Sequence, residues 1–279
     1  MFVLSRDKLP ETPDALAVAL EEALREFASR TEPMVAVRGT DQHRLDEITI
    51  DLSGALIDPR HRPVGPKLFR GDPAISVGKL SVSGRPIKIF GSELALHFDA
   101  LNVQLDQTKT SDGKVLLILR QAASGEMRLV MAREELERLV AQIAALAADK
   151  QGVTVENVEV DLTSPATRTL DAKVTVSARK LFFHASLRLS GTVVINEDLV
   201  ATVSRLRCEG DGAIAALVCA AITPHFSCIE ERAFPLSALP IGEVRVNDLA
   251  ITVDDKQVVI EARFGSESTK SNRKSQPAK

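Results

Sequence analysis

The sequence predicts an α+β protein whose main element is a strongly curved, bulged antiparallel β-sheet, accompanied by three helices. Three observations predict this class. Apolar residues alternate with polar ones at a period of two over most of the chain, as in half-buried strands. One irregularity in that alternation recurs five times. Three further stretches follow the period of a helix instead.

The first helix is predicted over 12–30. Thr12 is a suitable N-cap, and Pro13 fits the first helical position. The apolar stripe that follows consists of Leu16, Leu20, Leu24 and Phe27. Because a proline disrupts a helix interior, Pro33 prevents any longer helix.

The second helix is predicted from Arg133 to Asp149, where the apolar positions share one face. These positions are Leu136, Leu139, Val140, Ile143 and Leu146. The third helix is predicted from Gly212 to about Ile222, with apolar residues on every side. Pro224 follows it and is expected to mark its end.

The recurring irregularity is a pair of apolar residues two apart, a step of three, and a second pair two apart. The copies are Ile75, Val77, Leu80, Val82; Leu96, Phe98, Leu101, Val103; Val153, Val155, Val158, Val160; Ala201, Val203, Leu206, Cys208; and Val244, Val246, Leu249, Ile251. In a regular strand the three-residue step would turn the second pair to the opposite face, whereas one bulge residue keeps all four together. Because bulges bend strands, we expect a curled sheet that encloses ordinary core, the helices or a ligand.

Composition argues against nucleic acid as a partner. The formal net charge is -3, and the chain has neither Trp nor Tyr, which removes the usual residues for stacking on bases. No stretch reaches the roughly 18 apolar residues of a membrane-spanning helix. The apolar run Met1–Leu4 is too short for a secretory signal, and three cysteines fit buried thiols in a reducing compartment. We therefore expect a cytoplasmic protein.

The segment 58–73 is dense in proline and positive charge, so it is expected to be a loop. It is either a solvated connector or a tip that contacts an anionic membrane peripherally. In the second case its cations would meet headgroups and its two large apolar residues the interface. The residues concerned are Arg60, Arg62, Lys67, Leu68, Phe69 and Arg70. The polar tail 266–279 is expected to be disordered.

Signatures of catalysis and of metal binding are missing from the sequence. It contains no P-loop, no nucleophile elbow, no H-E-x-x-H and no pair of C-x-x-C units. The stretch Gly210–Ala215 superficially matches a dinucleotide-binding turn, but strands rather than alternating strands and helices surround it. We expect no catalytic residue, no metal site, no cofactor and no enzyme activity. An enzyme would require His184 beside an acid and a serine at the mouth of a groove.

Two segments point to a known family. They are the second helix with the strand Gly152–Leu162 after it, and Pro235–Val246 with the strand that closes the chain. In pattern and order they resemble the LmeA-like phospholipid-binding proteins of bacteria, a branch of the tubular lipid-binding (TULIP) superfamily. The resemblance covers 126–265, and more loosely 34–105. It implies one elongated domain over 1–265, with the curved sheet wrapped on a long helix.

The resemblance further implies non-catalytic binding of a phospholipid or other acyl-chain amphiphile in an apolar groove, for lipid transfer or lipid sensing. The expected groove-lining residues are Leu139, Ile143, Leu146, Val153, Val155, Leu187, Leu189, Ile214, Leu217, Val218 and Ile222. The alternative is a structural or protein-interaction protein whose groove is filled by its own side chains. Periodicity identifies these residues as a buried face but does not separate the two functions.

Overall fold

A computed structural model describes residues 2–41, 43–58, 71–149, 153–180, 183–230, 232–235, 244 and 246–266. In that part of the chain, sixteen strands form two sheets. The helices are α1 (Pro13–Arg25), α2 (Arg133–Asp149) and α3 (Ala213–Glu230). The first sheet contains β1 (Phe2–Val3), β2 (Ala28–Ser29), β3 (Val35–Asp41), β4 (Arg44–Asp51), β5 (Leu56–Ile57), β6 (Asp72–Ile89), β7 (Ser92–Lys109), β8 (Val115–Gln121), β9 (Ser124–Ala132), β15 (Val246–Val253) and β16 (Gln257–Phe264). The second contains β10 (Thr154–Ala166), β11 (Thr169–Lys180), β12 (Phe183–Ile195), β13 (Val200–Asp211) and β14 (Ala233–Pro235).

The predicted α+β class is confirmed. The main path of the first sheet is β15-β16-β9-β7-β6-β4-β3, and the second sheet is β10-β11-β12-β13-β14. Among the described strand pairs only β4 and β5 run parallel to their partner β6. The structure has two open sheets where the sequence predicted one, and α2 packs on β10 rather than inside a wrapped sheet. The reason is that α2 follows β9 directly and carries the chain away, so that β10 starts a new sheet.

The N-terminal helix starts where the sequence predicts and ends earlier. The hydroxyl of Thr12 accepts a hydrogen bond from the Ala15 N–H at 3.2 Å, as an N-cap does. The side chains that α1 buries are Leu16, Ala19, Leu20, Ala23 and Leu24. The helix ends at Arg25 rather than at residue 30, because the chain then extends as β2 to pair with β5. Phe27, predicted on the helical stripe, therefore lies beyond the helix.

The second helix has its predicted bounds, but the third is longer than predicted. It continues through Pro224 to Glu230 instead of ending near Ile222. A proline inside a helix removes one backbone hydrogen bond and usually bends or ends it. Here the buried Cys219 before the proline and the half-buried Phe226 after it share one stripe of a helix that packs on β13. Packing on both sides of the proline offsets its cost.

Three of the five predicted bulges appear as shifts of strand register. The shift follows Val155 on β10 and Val246 on β15. On β13 two residues, Arg205 and Leu206, lie opposite Gly191 of β12. A Cβ atom built on Gly191 would lie 2.7 Å from the Leu206 side chain, so Leu206 covers the face that a side chain at 191 would occupy. These bulges keep the apolar residues before and after them on one face, as predicted.

The other two copies of the irregularity lie opposite each other on β6 and β7. Val77 pairs with Val103 and Leu80 pairs with Ala100, without a shift of register. All four side chains are buried although each strand makes a three-residue step between them. Asn102, inside the step on β7, has φ 49°, in the left-handed region. Both strands therefore make the three-residue step at the same place, so the register of the pair shows no shift there.

The sequence misplaced the step on β7 by two residues. Leu101 was predicted to face the core, but it is 46% exposed, and Ala100 is buried instead. The left-handed backbone at Asn102 puts the step between 100 and 103. Side-chain size favoured the leucine, whereas backbone conformation decided which residue points inwards.

The left-handed backbone at Asn102 gives a test of this arrangement. Asn102 is exposed, so replacing it changes little packing. We expect Asn102→Val to lower the free energy of unfolding by roughly 1–2 kcal/mol, because a β-branched residue is strained at positive φ. Asn102→Gly should stay within about 1 kcal/mol of wild type. Urea denaturation measures both, with Lys109→Val at an exposed position of the same strand as the control. Equal losses for the two valine variants would contradict the assignment.

Candidate functional site

The second sheet has an apolar face and a polar face. Antiparallel partners point to the same side, so the register places Val158, Val176 and Leu187 in one cross-strand row. The neighbouring row contains Val160, Val174, Leu189 and Cys208. We call this apolar side the inner face.

The outer face of the same sheet carries ion pairs. Glu156 lies 3.1 Å from Arg179 Nε and 3.2 Å from His184 Nδ1. Asp171 lies 3.1 Å from Arg205, the residue whose positive φ marks the β13 bulge. These groups are partly or largely exposed, so they form a solvated surface.

His184 thus has an acid beside it, as an enzyme site would require, but on the outer face. Among the described residues no serine or threonine hydroxyl is hydrogen-bonded to His184. Likewise, no cluster of three or more His, Cys, Asp or Glu in the described ranges is placed to hold a metal ion.

The helix α2 covers one edge of the inner face. Its Leu136, Val140 and Ala144 belong to the same apolar cluster as Val158 and Val160 of β10. Both of those valines are buried. The helix α2 therefore covers the inner face of the edge strand β10.

The two flanks of α2 differ in polarity. Glu134 and Arg138 lie on the flank that borders 155–158 of β10, the edge strand of the sheet. The opposite flank carries Leu139, Ile143 and Leu146. Ile143 is 50% exposed and Leu146 is 48% exposed. Because the polar flank occupies the outer edge, the apolar flank lies on the side of β11 and β12.

The start of α2 is fixed to the first sheet through Glu135. The Glu93 N–H donates to the Glu135 carboxylate at 2.8 Å, and Arg138 donates to both carboxylate oxygens at 2.6 and 2.7 Å. The hydrogen bond from Glu93 is the main reason that the pKa of Glu135 lies below its ordinary value, and Arg138 adds to the effect. Since Glu93 belongs to β7, this contact sets the position of α2 over both sheets.

The helix α3 covers the opposite edge of the inner face. Cys219 of α3 forms a disulfide with Cys208 of β13, and their Cα atoms are 5.3 Å apart. A Cβ atom built on Gly210 would lie 2.5 Å from the Ala215 backbone, so only glycine permits this close approach of strand and helix. Because Cys208 points to the inner face, α3 lies on the same side of the sheet as α2.

The expectation of three buried free thiols is wrong. Cys208 and Cys219 are bonded to each other, and Cys228 is free and exposed. An 11-residue separation does not reveal a disulfide, because only the return of α3 along β13 brings the two Cα atoms within bonding range. The cysteines therefore no longer support a reducing compartment.

Between the two helices the middle of the inner face is only partly covered, since its residues stay half-buried. The strands β10 and β13 are three strand spacings apart, about 14 Å, whereas helices in contact lie about 8–10 Å apart. Helices placed over those two strands therefore leave a gap. The floor of the gap is half-buried and consists of Val174, Val176, Leu187 and Leu189. We call this floor, together with the apolar flank of α2, the trough.

The trough is long and continues towards the first sheet. Inner-face positions of β11 run from Leu170 to Ala178, about 26 Å at the usual rise of a strand. The trough continues past Val193 to the end of β12. There Ile195 of the second sheet belongs to the same apolar cluster as Ala262 of the first sheet. Residues of the first sheet that are partly buried at or next to this junction are Phe98, Met127, Ile251 and Ile260. The ring of Phe98 stacks on that of Phe264 at 5.1 Å.

Most of the predicted groove residues that the structure describes lie at the trough. The stripe of α2 and the positions Leu187 and Leu189 are there. Val155 lies on the inner face of β10 but borders the polar flank of α2, and Val153 is half-buried just before β10. Val218 lies on a flank of α3 and is 36% exposed. Leu217 instead lies on the side of α3 opposite Cys219 and is 71% exposed.

Other predicted site residues cannot be placed. The side chains of Ile214 and Ile222 lie outside the described part of the chain. The loop residues Arg60, Arg62, Lys67, Leu68, Phe69 and Arg70 also lie outside it. Among the described helices, none is long and apolar enough to cross a membrane.

The sequence analysis missed the β11 half of the floor and the extension into the first sheet. The alternation from Leu170 to Ala178 was a sufficient signal for β11. Phe98 was recognised as part of an inward pair, but periodicity could not reveal that its ring stacks on Phe264 of β16.

The disulfide predicts a definite thiol count. Under denaturing conditions without reductant, reaction with a chromogenic disulfide should detect one thiol per chain, from Cys228. After reduction it should detect three. Three thiols without reductant, in protein purified with its thiols protected from air, would show that Cys208 and Cys219 are not bonded.

The anchor at Glu135 predicts a pH-dependent loss of stability. Glu135→Gln should lower the free energy of unfolding by about 1.5 kcal/mol at neutral pH, because a charged acceptor is lost. A carboxylate with a lowered pKa stabilises the fold above its unfolded pKa, and this contribution disappears as pH falls through the folded pKa. The gap between wild type and variant should therefore close in acid. The exposed neighbour Glu134 gives the control Glu134→Gln, for which we expect little change; a gap independent of pH would contradict the assignment.

In comparisons with known proteins, no family model, no curated protein and no solved structure matches this chain. The trough and the surfaces around it are therefore the features that bear on its function.

Proposed function

We propose that the chain binds a phospholipid or a similar amphiphile by its acyl chains in the trough between α2 and α3. The observation that carries the proposal is the apolar flank of α2, where Ile143 and Leu146 are about half exposed above a half-buried apolar floor. Large apolar side chains that stay exposed together, rather than singly, are typical of binding surfaces.

The dimensions of the trough suit an acyl chain. One lipid tail spans about 15 Å, half of the roughly 30 Å hydrocarbon core of a bilayer. The inner-face positions of β11 alone extend over about 26 Å. A tail could therefore lie along the strands and leave its headgroup at the end of the trough.

Burial of methylene groups would supply the affinity. At about 0.8 kcal/mol for each buried methylene, ten methylenes contribute about 8 kcal/mol, which corresponds to micromolar binding before the costs of association. The four floor residues are all aliphatic, so the floor offers no side-chain partner to a headgroup. We expect broad headgroup tolerance and no bond making or breaking, in keeping with lipid transfer or sensing.

The alternative function is a protein-interaction module whose groove is filled by its own side chains. Exposure of Ile143 and Leu146 favours an open trough, because a filled groove would bury both. The likeness to LmeA-like proteins supports the same choice, as a resemblance of pattern.

The test is native mass spectrometry of the purified protein, followed by extraction and identification of any lipid. We expect one bound lipid per chain, and its loss in Ile143→Asp, because a carboxylate would be placed against the buried tail. Ile143 is half exposed, so the substitution should leave folding intact, as a thermal melt can verify.

The control is Val18→Asp on α1, where the replaced side chain is equally exposed at 51% but far from the trough in the fold. This variant should keep its lipid. A bare polypeptide mass for wild type, unchanged after incubation with phospholipid vesicles, would reject lipid binding and favour the interaction module.

A further inference from the structure

The outer side of α3 carries no charge. Ala215 and Cys219 are buried on its inner side, and Leu217 lies opposite them with 71% of its surface exposed. No Asp, Glu, Lys or Arg occurs from Ala213 to Ile229. The exposed positions of this stretch include Ala216, Leu217, Val218, Ala220 and Ala221.

The other two helices show what a solvated helix of this protein looks like. On α1 the exposed residues include Glu22 and Arg25, whose side chains are 48% and 43% exposed. On α2, Glu134 and Arg138 are likewise exposed charged residues. Compared with α1 and α2, α3 is the exception, because its outer side lacks the charged residues of a solvated helix surface.

One polar side chain of α3 is satisfied within the helix. The hydroxyl of Thr223 donates to the Cys219 carbonyl of the same helix at 2.7 Å. Pro224 has no N–H to satisfy, and it lies on the same outer side as Leu217. From Ala213 to Ala221 the helix has no polar side chain apart from the disulfide-bonded Cys219, so this part of its surface needs no hydrogen bond from its surroundings and suits a hydrocarbon environment. The exposed His225 lies beyond it, in the C-terminal part of the helix.

A second copy of the chain is a poorer occupant for this surface. A helix of the length of α3 presents about 270 Å², from a rise of 1.5 Å per residue and a width of about 10 Å. A stable protein interface needs about 800 Å² from each partner. A bilayer has no such minimum, because each apolar side chain that enters it contributes independently.

We infer that the outer side of α3 docks onto a phospholipid bilayer, lying in the interface with Leu217 inserted. The disulfide to β13 and the close contact at Gly210 hold the inner side of the helix on the sheet, so α3 lies flat rather than crossing. The inference rests on the proposed function in one respect: docking by α3 would bring the adjacent trough to the membrane that supplies its lipid.

Docking by this surface does not depend on anionic lipid. The helix has no Lys or Arg to attract phosphate, so its attraction to the membrane comes from apolar burial. This distinguishes it from the cationic loop 58–73, whose contact would require anionic headgroups and weaken with salt.

The absence of Trp and Tyr from the chain permits a direct test. Leu217→Trp introduces the single tryptophan of the protein on the outer side of α3, and Val18→Trp introduces one on α1 as the control. With vesicles of phosphatidylcholine alone, we expect the emission of Leu217→Trp to shift to shorter wavelength and to be quenched by brominated acyl chains. The emission of Val18→Trp should not change.

Vesicle flotation of the otherwise unchanged chain gives the second measurement. Leu217→Asp should reduce the vesicle-bound fraction at least about tenfold relative to wild type, and Val18→Asp should not. An unshifted Leu217→Trp emission, or binding that needs anionic lipid and disappears in high salt, would overturn the inference. So would a shift that appears without vesicles and grows with protein concentration, since that would indicate a second copy.

The two proposals can fail separately. If Ile143→Asp loses its lipid but still floats with vesicles, and Leu217→Asp keeps its lipid but does not float, both stand. If wild type floats and Leu217→Asp does not, but wild type never carries lipid, the proposed function fails and docking stands. If wild type carries lipid and Leu217→Asp still floats, docking by α3 fails and the proposed function stands.

Discussion

Apolar side chains stay on one face of a strand only while the alternation of the sequence is kept, and in this chain it is broken at the same step in five strands. On β10 the break precedes Val158, Val160 and Leu162, all of which are buried. Without a bulge these three would face water, at about 1.5–3 kcal/mol each. That loss is comparable to the 5–15 kcal/mol by which domains are usually stable. The fold therefore depends on the bulges, and most other features follow from the continuous apolar faces that they preserve.

A continuous apolar face has to be covered, and the two helices of the second half cover it only at its edges. The disulfide between Cys208 and Cys219 holds α3 over β13, and Glu135 ties α2 to the β6–β7 turn at Glu93. With the helices held above strands three spacings apart, the middle of the sheet stays only partly covered. The trough is thus a consequence of where the helices are anchored, rather than of any residue that lines it.

The helices α2 and α3 also present apolar surfaces of two different shapes. The exposed stripe of α2 lies beside a floor and forms part of a concave surface, whereas Leu217 of α3 stands on a convex one. Concave apolar surfaces suit single ligands, and convex ones without charge suit extended apolar media. This difference in shape underlies the separate proposals for the trough and for the outer side of α3.

The sequence by itself determined the β-rich class, the start of α1, the bounds of α2 and the positions of three bulges, because each depends on periodicity or capping within a short stretch of chain. Four features were decided only by tertiary structure. They are the split into two sheets, the burial of Ala100 instead of Leu101, the continuation of α3 past Pro224, and the disulfide that anchors that helix. Each of these depends on contacts between different elements of the fold or, for Ala100, on the positive φ of Asn102, which the apolar pattern does not reveal. The same holds for the trough: periodicity marked its apolar residues, but only the spacing of the helices over the strands decided which of them stay uncovered.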